Sequence, residues 1–214
     1  FHFNAHNLVV YGREGNDYLI SDPVFEAPVR CDRAALMKAR FAKGALAAKG
    51  LMYMPAAIPG EVDYQKEIPL AIRRNVRTMT KAPLPFIGVR GIRRMGKQLR
   101  TLERDSARRE QYLPLYLGHI VRMQEEIGTG GAGFRFIYGA FLRESARLLD
   151  SAPLKDAAKA MTDAGDHWRL FALRASKMCK GREAMDTALL EDILNGCADR
   201  EAQAWALLET ISAP

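Results

Sequence analysis

The chain has 214 residues, 48% hydrophobic and 27% charged, with a formal net charge of +7. That balance excludes a disordered or fibrous chain and gives enough length for one large domain, or for one domain with part of another. No apolar run approaches the ~20 residues that cross a bilayer. The three cysteines, Cys31, Cys179 and Cys197, are odd in number and lack CxxC spacing, so neither a disulfide framework nor a zinc site is expected. The expectation is a cytoplasmic protein with free thiols.

Residues 8–12 (LVVYG) and 17–21 (DYLIS) are short, apolar and rich in β-branched or aromatic side chains. Arg13-Glu14-Gly15-Asn16 joins them, and its Gly-Asn favours a tight reversal, so the pair reads as a β-hairpin. Asp32 is a suitable N-cap for a helix through RAALMKARFAKGALAA, and Met52-Tyr53-Met54 is read as a last strand. After Pro55 the strand signals nearly vanish. Asp63 can cap a helix over 64–80, where Ile68, Ile72, Val76 and Met79 recur at helical spacing. Pro83 and Pro85 then break the chain, and Ile92, Met95, Leu99 and Leu102 mark another amphipathic helix. The next helical stretch, 106–127, contains Pro114, which should start a new helix or kink the existing one. Glycine-rich GTGGAG interrupts at 128–133, and helices resume at about 134–150, 153–180 and 182–211, with Ser151 and Pro153 as start signals and Gly181 as a stop. The chain is therefore lopsided, a small β-containing piece followed by a helical domain. A two-stranded hairpin is marginal by itself, so further strands or a covering layer must support it.

One segment carries the basic character. Lys66 to Arg109 holds 13 Lys/Arg against 3 acidic residues, a field that favours an anionic partner. Arg93, Arg94 and Lys97 alternate with an apolar stripe, which is equally the pattern of a solvated helix face. A nucleic-acid reader would add stacking aromatics, and Phe86 is the only aromatic between residues 66 and 109. The motif GxGxxG is satisfied at Gly128, Gly130 and Gly133, but it follows the helical IVRMQEEI rather than a strand, so no dinucleotide site is expected. What remains is a turn whose Gly130, Gly131 and Gly133 backbone, with Arg135, could hold a phosphate or carboxylate. A tight interhelical turn explains the glycines equally well. In GDHWR, Asp166, His167 and Arg169 surround Trp168, the pattern of a polar network anchoring an aromatic. His2, His6, His119 and His167 lack the spacing or acidic context of metal ligands.

His6 stands at the start of the first strand and Asp22 at the end of the second. An antiparallel hairpin brings those ends together, so the carboxylate could orient the imidazole and leave its other nitrogen free as a base. Ordinary turn chemistry places the same residues there. The text HNLVVYG followed by YLISDP resembles the His and Asp portion of papain-like bacterial cysteine enzymes, bacteriocin-processing peptidases among them. Downstream, AIRRNVRTM, GVRGIRRMGKQL, GTGGAGFRFIYGAFLRESARLL and AGDHWRLFALRASKMCK resemble the butirosin biosynthesis protein H family. In that family a papain-like domain precedes a helical domain of unknown function, numbered 4872.

The resemblance implies an α+β chain in which residues 1–58 are the C-terminal part of a papain-like catalytic domain and residues 59–214 form the helical domain. It implies that His6 and Asp22 are the second and third members of a Cys-His-Asp constellation whose nucleophile lies upstream of Phe1, so that this chain alone is inactive. The implied reaction is amide formation in secondary metabolism, with an acyl group passing from a carrier-protein thioester to an amine. The implied partners are thus an acyl carrier protein or other thioester donor, docking at Arg93, Arg94 and Lys97, and an amine acceptor. No cofactor is implied, a phosphopantetheine-linked donor being substrate. Neither nucleic acid nor a membrane is an expected partner, and self-association is left open. Two other readings are a cysteine peptidase or amidase, in which water resolves the acyl-enzyme, and a non-catalytic helical module that docks an acidic carrier protein or other anion.

Overall fold

Asp17–Ser21 pairs on both sides, with Val9–Glu14 and with Val29–Asp32, as the central strand of an antiparallel sheet. The structure, a computed structural model, describes residues 6–44, 47–57, 60–127 and 129–211. Its chain divides into two compact units, Phe1–Gly60 and Glu61–Pro214. The expected boundary, between residues 58 and 59, falls on residues outside those described.

In the first unit β1 is Val9–Glu14, β2 is Asp17–Ser21 and β3 is Val29–Asp32, followed by helix α1, Arg33–Arg40. The expected hairpin forms, with Gly15 at φ +60° in its turn. The third strand is not where the sequence placed it. Met52, Tyr53 and Met54 form no strand and are almost fully exposed, whereas Val-Arg-Cys-Asp at 29–32, too short and charged to read as a strand, completes the sheet. Its ends are fixed by backbone chemistry: Arg33 N–H donates to the Asn16 carbonyl at 3.2 Å, and Asp32 caps α1 by accepting from Ala34 and Ala35 N–H at 2.9 and 3.0 Å. α1 also stops earlier than its composition suggests. Gly50, at φ +75°, returns onto the helix end, where its N–H donates to the Arg40 carbonyl at 2.9 Å and its carbonyl accepts from the Arg40 guanidinium at 2.8 Å. Among the described residues of this unit only Ile20 and Leu36 are buried hydrophobics.

Among its described residues the second unit has six α-helices: α2, Tyr64–Lys81; α3, Gly88–Arg104; α4, Ser106–Glu125; α5, Arg135–Leu148; α6, Ala152–Cys179; and α7, Thr187–Ile211. The last two are its axis. α6 and α7 pack on each other and contribute to two apolar clusters. One cluster joins Leu99 of α3 and Leu113 and Leu117 of α4 to Phe171, Leu190 and Leu194. The other joins Ile68, Ile72 and Val76 of α2 and Leu142 of α5 to Leu154, Met161, Trp205 and Leu208. Most of these side chains are fully removed from solvent, each contributing roughly 1.5–3 kcal/mol of transfer free energy. Pro114 neither starts nor breaks a helix and lies inside α4. α3 begins at Gly88 (φ +66°), where any Cβ would collide with the Met79 carbonyl. α6 ends in a Schellman motif: Gly181 N–H donates to Met178 O at 3.0 Å and Arg182 N–H to Lys177 O at 2.9 Å, with Gly181 at φ +66°. α7 starts at Thr187 rather than 182, because Asp186 accepts from Leu189 N–H at 2.9 Å. No helix among the described residues is long and apolar enough to cross a membrane.

Candidate functional site

The hairpin register decides whether His6 and Asp22 can meet. From the turn outward the pairs are Glu14 with Asp17, Arg13 with Tyr18 and Gly12 with Leu19; a bulge then leaves Tyr11 over, and pairing resumes with Val10 opposite Ile20 and Val9 opposite Ser21. Continued by one step, this register sets Asp22 opposite Leu8, and His6, two residues from Leu8, falls on the same face. Without the extra residue Asp22 would face Val9, at an odd offset from His6, and the two side chains would point to opposite faces. The bulge re-aims the pair.

His6 Nε2 lies 2.9 Å from both Asp22 Oδ1 and Asp22 Oδ2. Asp22 Oδ1 also accepts from Val24 N–H at 2.9 Å. That backbone hydrogen bond is the main reason the Asp22 carboxyl is held below its ordinary pKa, with the His6 bond and charge adding to it and desolvation opposing. An ionised carboxylate only accepts, so Nε2 carries the proton and Nδ1 of the neutral ring keeps its lone pair. The imidazole side chain is 39% exposed while that of Asp22 is 10% exposed, so the orienting carboxylate is the more sheltered of the two.

No cysteine of the chain is arranged as an activated thiol. Cys31 sits opposite Tyr18, four residues along β2 from Asp22 and thus about 13 Å away, and its Sγ–H donates to the Asp32 carbonyl at 3.5 Å. In the helical unit, burial raises the Cys179 thiol. Burial and the Glu201 carboxylate push Cys197 up to about 12, which keeps it protonated and inert.

The glycine-rich turn is filled by the chain's own charges. Arg135 donates through Nε and Nη2 to Glu201 Oε1 at 2.8 and 2.7 Å, and Trp168 Nε1–H donates to the same oxygen at 2.6 Å. Glu201 is fully buried, and the guanidinium lies 4.7 Å from the Trp168 ring centroid. Arg135 Nη1 also donates to Gly133 O at 2.8 Å, while Ala132 N–H donates to Glu125 Oε1 at 3.1 Å. Of the anticipated anion site at Gly130, Gly131, Gly133 and Arg135, the cation is thus engaged by Glu201 and the Gly133 carbonyl, and the neighbouring Ala132 N–H by Glu125. The glycines instead let the backbone turn tightly, at φ +67°, +83° and +53°. Gly128, the first glycine of the motif, lies outside the described residues. The polar network around Trp168 exists, but its anchors are Glu201 and Gln124, whose Nε2 donates to the Trp168 carbonyl at 2.9 Å, rather than the neighbouring Asp166 and His167. Partners 33 and 44 residues away carry no local sequence signal.

On α3 the three basic residues separate. Arg93 pairs with Asp199 of α7 at 2.6 Å, an exposed contact of small energetic weight. Arg94 and Lys97 are exposed and form no ion pair among the described residues. The structure thus brings His6 and Asp22 into contact, engages Arg135 with the buried Glu201, and leaves Arg94 and Lys97 without an ion pair among the described residues.

Taken with the small sheet and the six-helix unit, these contacts define a mostly helical α+β protein with a hairpin-borne His–Asp pair. Residues 34–208 match the family described as Domain of unknown function (DUF4872), and the chain belongs to that family. The match begins within α1, so His6 and Asp22 precede it. No curated protein matches the chain.

Proposed function

We propose that the His6–Asp22 pair is the base and orienting carboxylate of a papain-like, thiol-dependent acyltransferase that forms an amide from an acyl thioester and an amine. The observation that carries this reading is the bidentate seat of Nε2 on Asp22 at 2.9 Å, which fixes the tautomer and leaves Nδ1 as the proton acceptor. The resemblance of the hairpin text to papain-like bacterial enzymes, and to the butirosin biosynthesis protein H family, supports it.

In this mechanism the thiol belongs to residues upstream of Phe1. Among the described residues the sheet-bearing unit buries only Ile20 of β2 and Leu36 of α1, with Val9, Val24 and Phe25 more than half exposed, an open face that a covering layer carrying the nucleophile would fit. Nδ1 takes the thiol proton, and the thiolate adds to the thioester carbonyl. The tetrahedral intermediate expels the donor thiolate, which recovers the proton from the imidazolium. The amine then attacks the acyl-enzyme, loses a proton to Nδ1, and the enzyme thiolate leaves and is reprotonated.

The test uses the polypeptide that carries both the thiol and residues 1–214, with a phosphopantetheine acyl thioester as donor. His6→Ala should slow acyl-enzyme formation by about 10²–10⁴-fold, read as the mass of the acylated protein; acylation at the wild-type rate refutes the assignment of His6. Amide as the product with an added amine distinguishes transfer from the hydrolysis expected of a peptidase or amidase. A second reading, a module docking an acidic carrier protein, is favoured by Arg94 and Lys97, which are exposed and form no ion pair among the described residues. It predicts salt-sensitive carrier binding that survives His6→Ala and is lost on charge reversal at Arg93, Arg94 and Lys97.

A further inference from the structure

α5 and α6 are joined by Leu149, Asp150 and Ser151, so they form an αα-hairpin. Arg147 and Lys155 each lie four residues from Ser151, and Arg143 and Lys159 each lie eight. On each helix the two cations are thus about one helical turn apart. All four side chains line a groove of about 650 Å³. Its floor is kept low by small residues: Ala158 and Thr162 line it, and Gly139 lets α5 approach α6 where a Cβ would press on Thr162 Oγ1.

Of these cations Arg147 has a carboxylate partner, Glu144 at 2.5 Å. Arg143, Lys155 and Lys159 form no ion pair among the described residues. Like charges one turn apart on a helix repel by a few tenths of a kcal/mol, and α6 adds the positive end of a 28-residue helix at Ser151 and Ala152, which also line the groove. Asp150, in the connection, and Asp163, about one turn beyond Lys159 on α6, also line the groove. Neither forms an ion pair with the cations among the described residues, so both can accept hydrogen bonds.

We propose that this groove binds an organic phosphate. Its phosphate sits between Arg143, Lys155 and Lys159, and its hydroxyl or amino donors meet Asp150 and Asp163. The volume falls within the ~300–1,000 Å³ range of small-molecule sites and far exceeds what inorganic phosphate fills. The assignment stands independently of the chemistry at His6.

Calorimetry and thermal shift on the chain, with adenosine 5′-monophosphate, glucose 6-phosphate and glycerol 3-phosphate beside their unphosphorylated parents and inorganic phosphate, test the proposal. At least one organic phosphate should bind saturably and raise Tm while its parent does not. Lys155→Gln with Lys159→Gln should weaken that binding by about tenfold for each charge-assisted hydrogen bond lost. Lys180→Gln with Arg182→Gln, at the other end of α6, should leave it unchanged, with circular dichroism verifying that both variants fold. Absence of saturable binding by all three organic phosphates overturns the proposal. So does binding unaffected by the Lys155 and Lys159 changes, or inorganic phosphate binding as tightly as every organic phosphate.

Discussion

Replacing Glu201 by Ala isolates the internal charge that closes the glycine-rich turn. One carboxylate oxygen takes three donors, two from Arg135 and one from Trp168, all within 2.8 Å, while the other oxygen has no partner, so the whole attachment runs through Oε1. The substitution leaves a guanidinium that is only 20% exposed and a buried indole N–H without an acceptor. Breaking a buried pair in this way costs about 3–5 kcal/mol. For a helical unit of this size each kcal/mol corresponds to roughly 2–4 °C in Tm, which gives a fall of about 6–20 °C by calorimetry. Replacing both charges, Arg135→Met with Glu201→Leu, removes the orphaned cation and should recover most of that loss, because a buried ion pair is often no more stabilising than an apolar substitute of similar volume. A Glu201→Ala variant within about 1 kcal/mol of wild type would mean that Arg135 is free to find another anion, and the closed reading of the turn would be wrong. Equal destabilisation of the single and double variants would show instead that packing, and not charge, sets the cost.

Three further outcomes follow from geometry. Deleting Tyr11 removes the bulge and sends Asp22 to the face opposite His6, so the downfield Nε2–H resonance expected of a carboxylate-bonded imidazole should vanish while the hairpin's amide pattern persists; retention of the resonance refutes the register argument. Because Asp22 titrates below its ordinary value, its contribution is complete above the unfolded carboxylate pKa of about 3.9 and is lost as pH falls through the lower folded value. The stability gap between wild type and Asp22→Asn, from urea titrations, should therefore be flat near neutrality and close only on acidification below about pH 4. Gly88→Ala should destabilise by more than Gly15→Ala in the same urea assay: both glycines have positive φ, but a Cβ at Gly88 meets the Met79 carbonyl whereas one at Gly15 meets nothing.

Periodicity made most of the helical unit legible. Ile68, Ile72 and Val76, and likewise Ile92, Leu99 and Leu102, are buried at the positions their spacing assigns. Features whose cause is tertiary were not legible. Val29–Asp32 becomes a strand because Asp17–Ser21 offers it a free edge, not because its own residues favour extension. α1 stops where Gly50 returns to its carbonyl end, a contact ten residues on in the chain. Arg135 read as a free cation because its partner is 66 residues away, and a buried Glu on an otherwise apolar helix face has no signature distinct from an exposed one. The His6–Asp22 contact was within reach of sequence reasoning because hairpin ends must meet. The bulge that makes the meeting productive was not, since Tyr11 looks like any other strand residue.

That division bears on how the pair could work. Its geometry comes from hydrogen-bond register in a hairpin and from the Asp22–Val24 turn, both local, rather than from a packed core. Nδ1 and Nε2 project from nearly opposite edges of the imidazole, so once Asp22 holds Nε2 a sulfur that gives its proton to Nδ1 must approach from the far side of the ring. Cys31 is excluded by its place along β3, and Cys197 by its protonation. In the proposed chemistry, orientation of the base and delivery of the nucleophile are therefore separate structural tasks: the hairpin would perform the first, and whichever body covers Val9, Val24 and Phe25 would perform the second. Proton transfer to Nδ1 would then be gated by docking of that covering layer, because the hairpin fixes the direction of the lone pair before any thiol arrives.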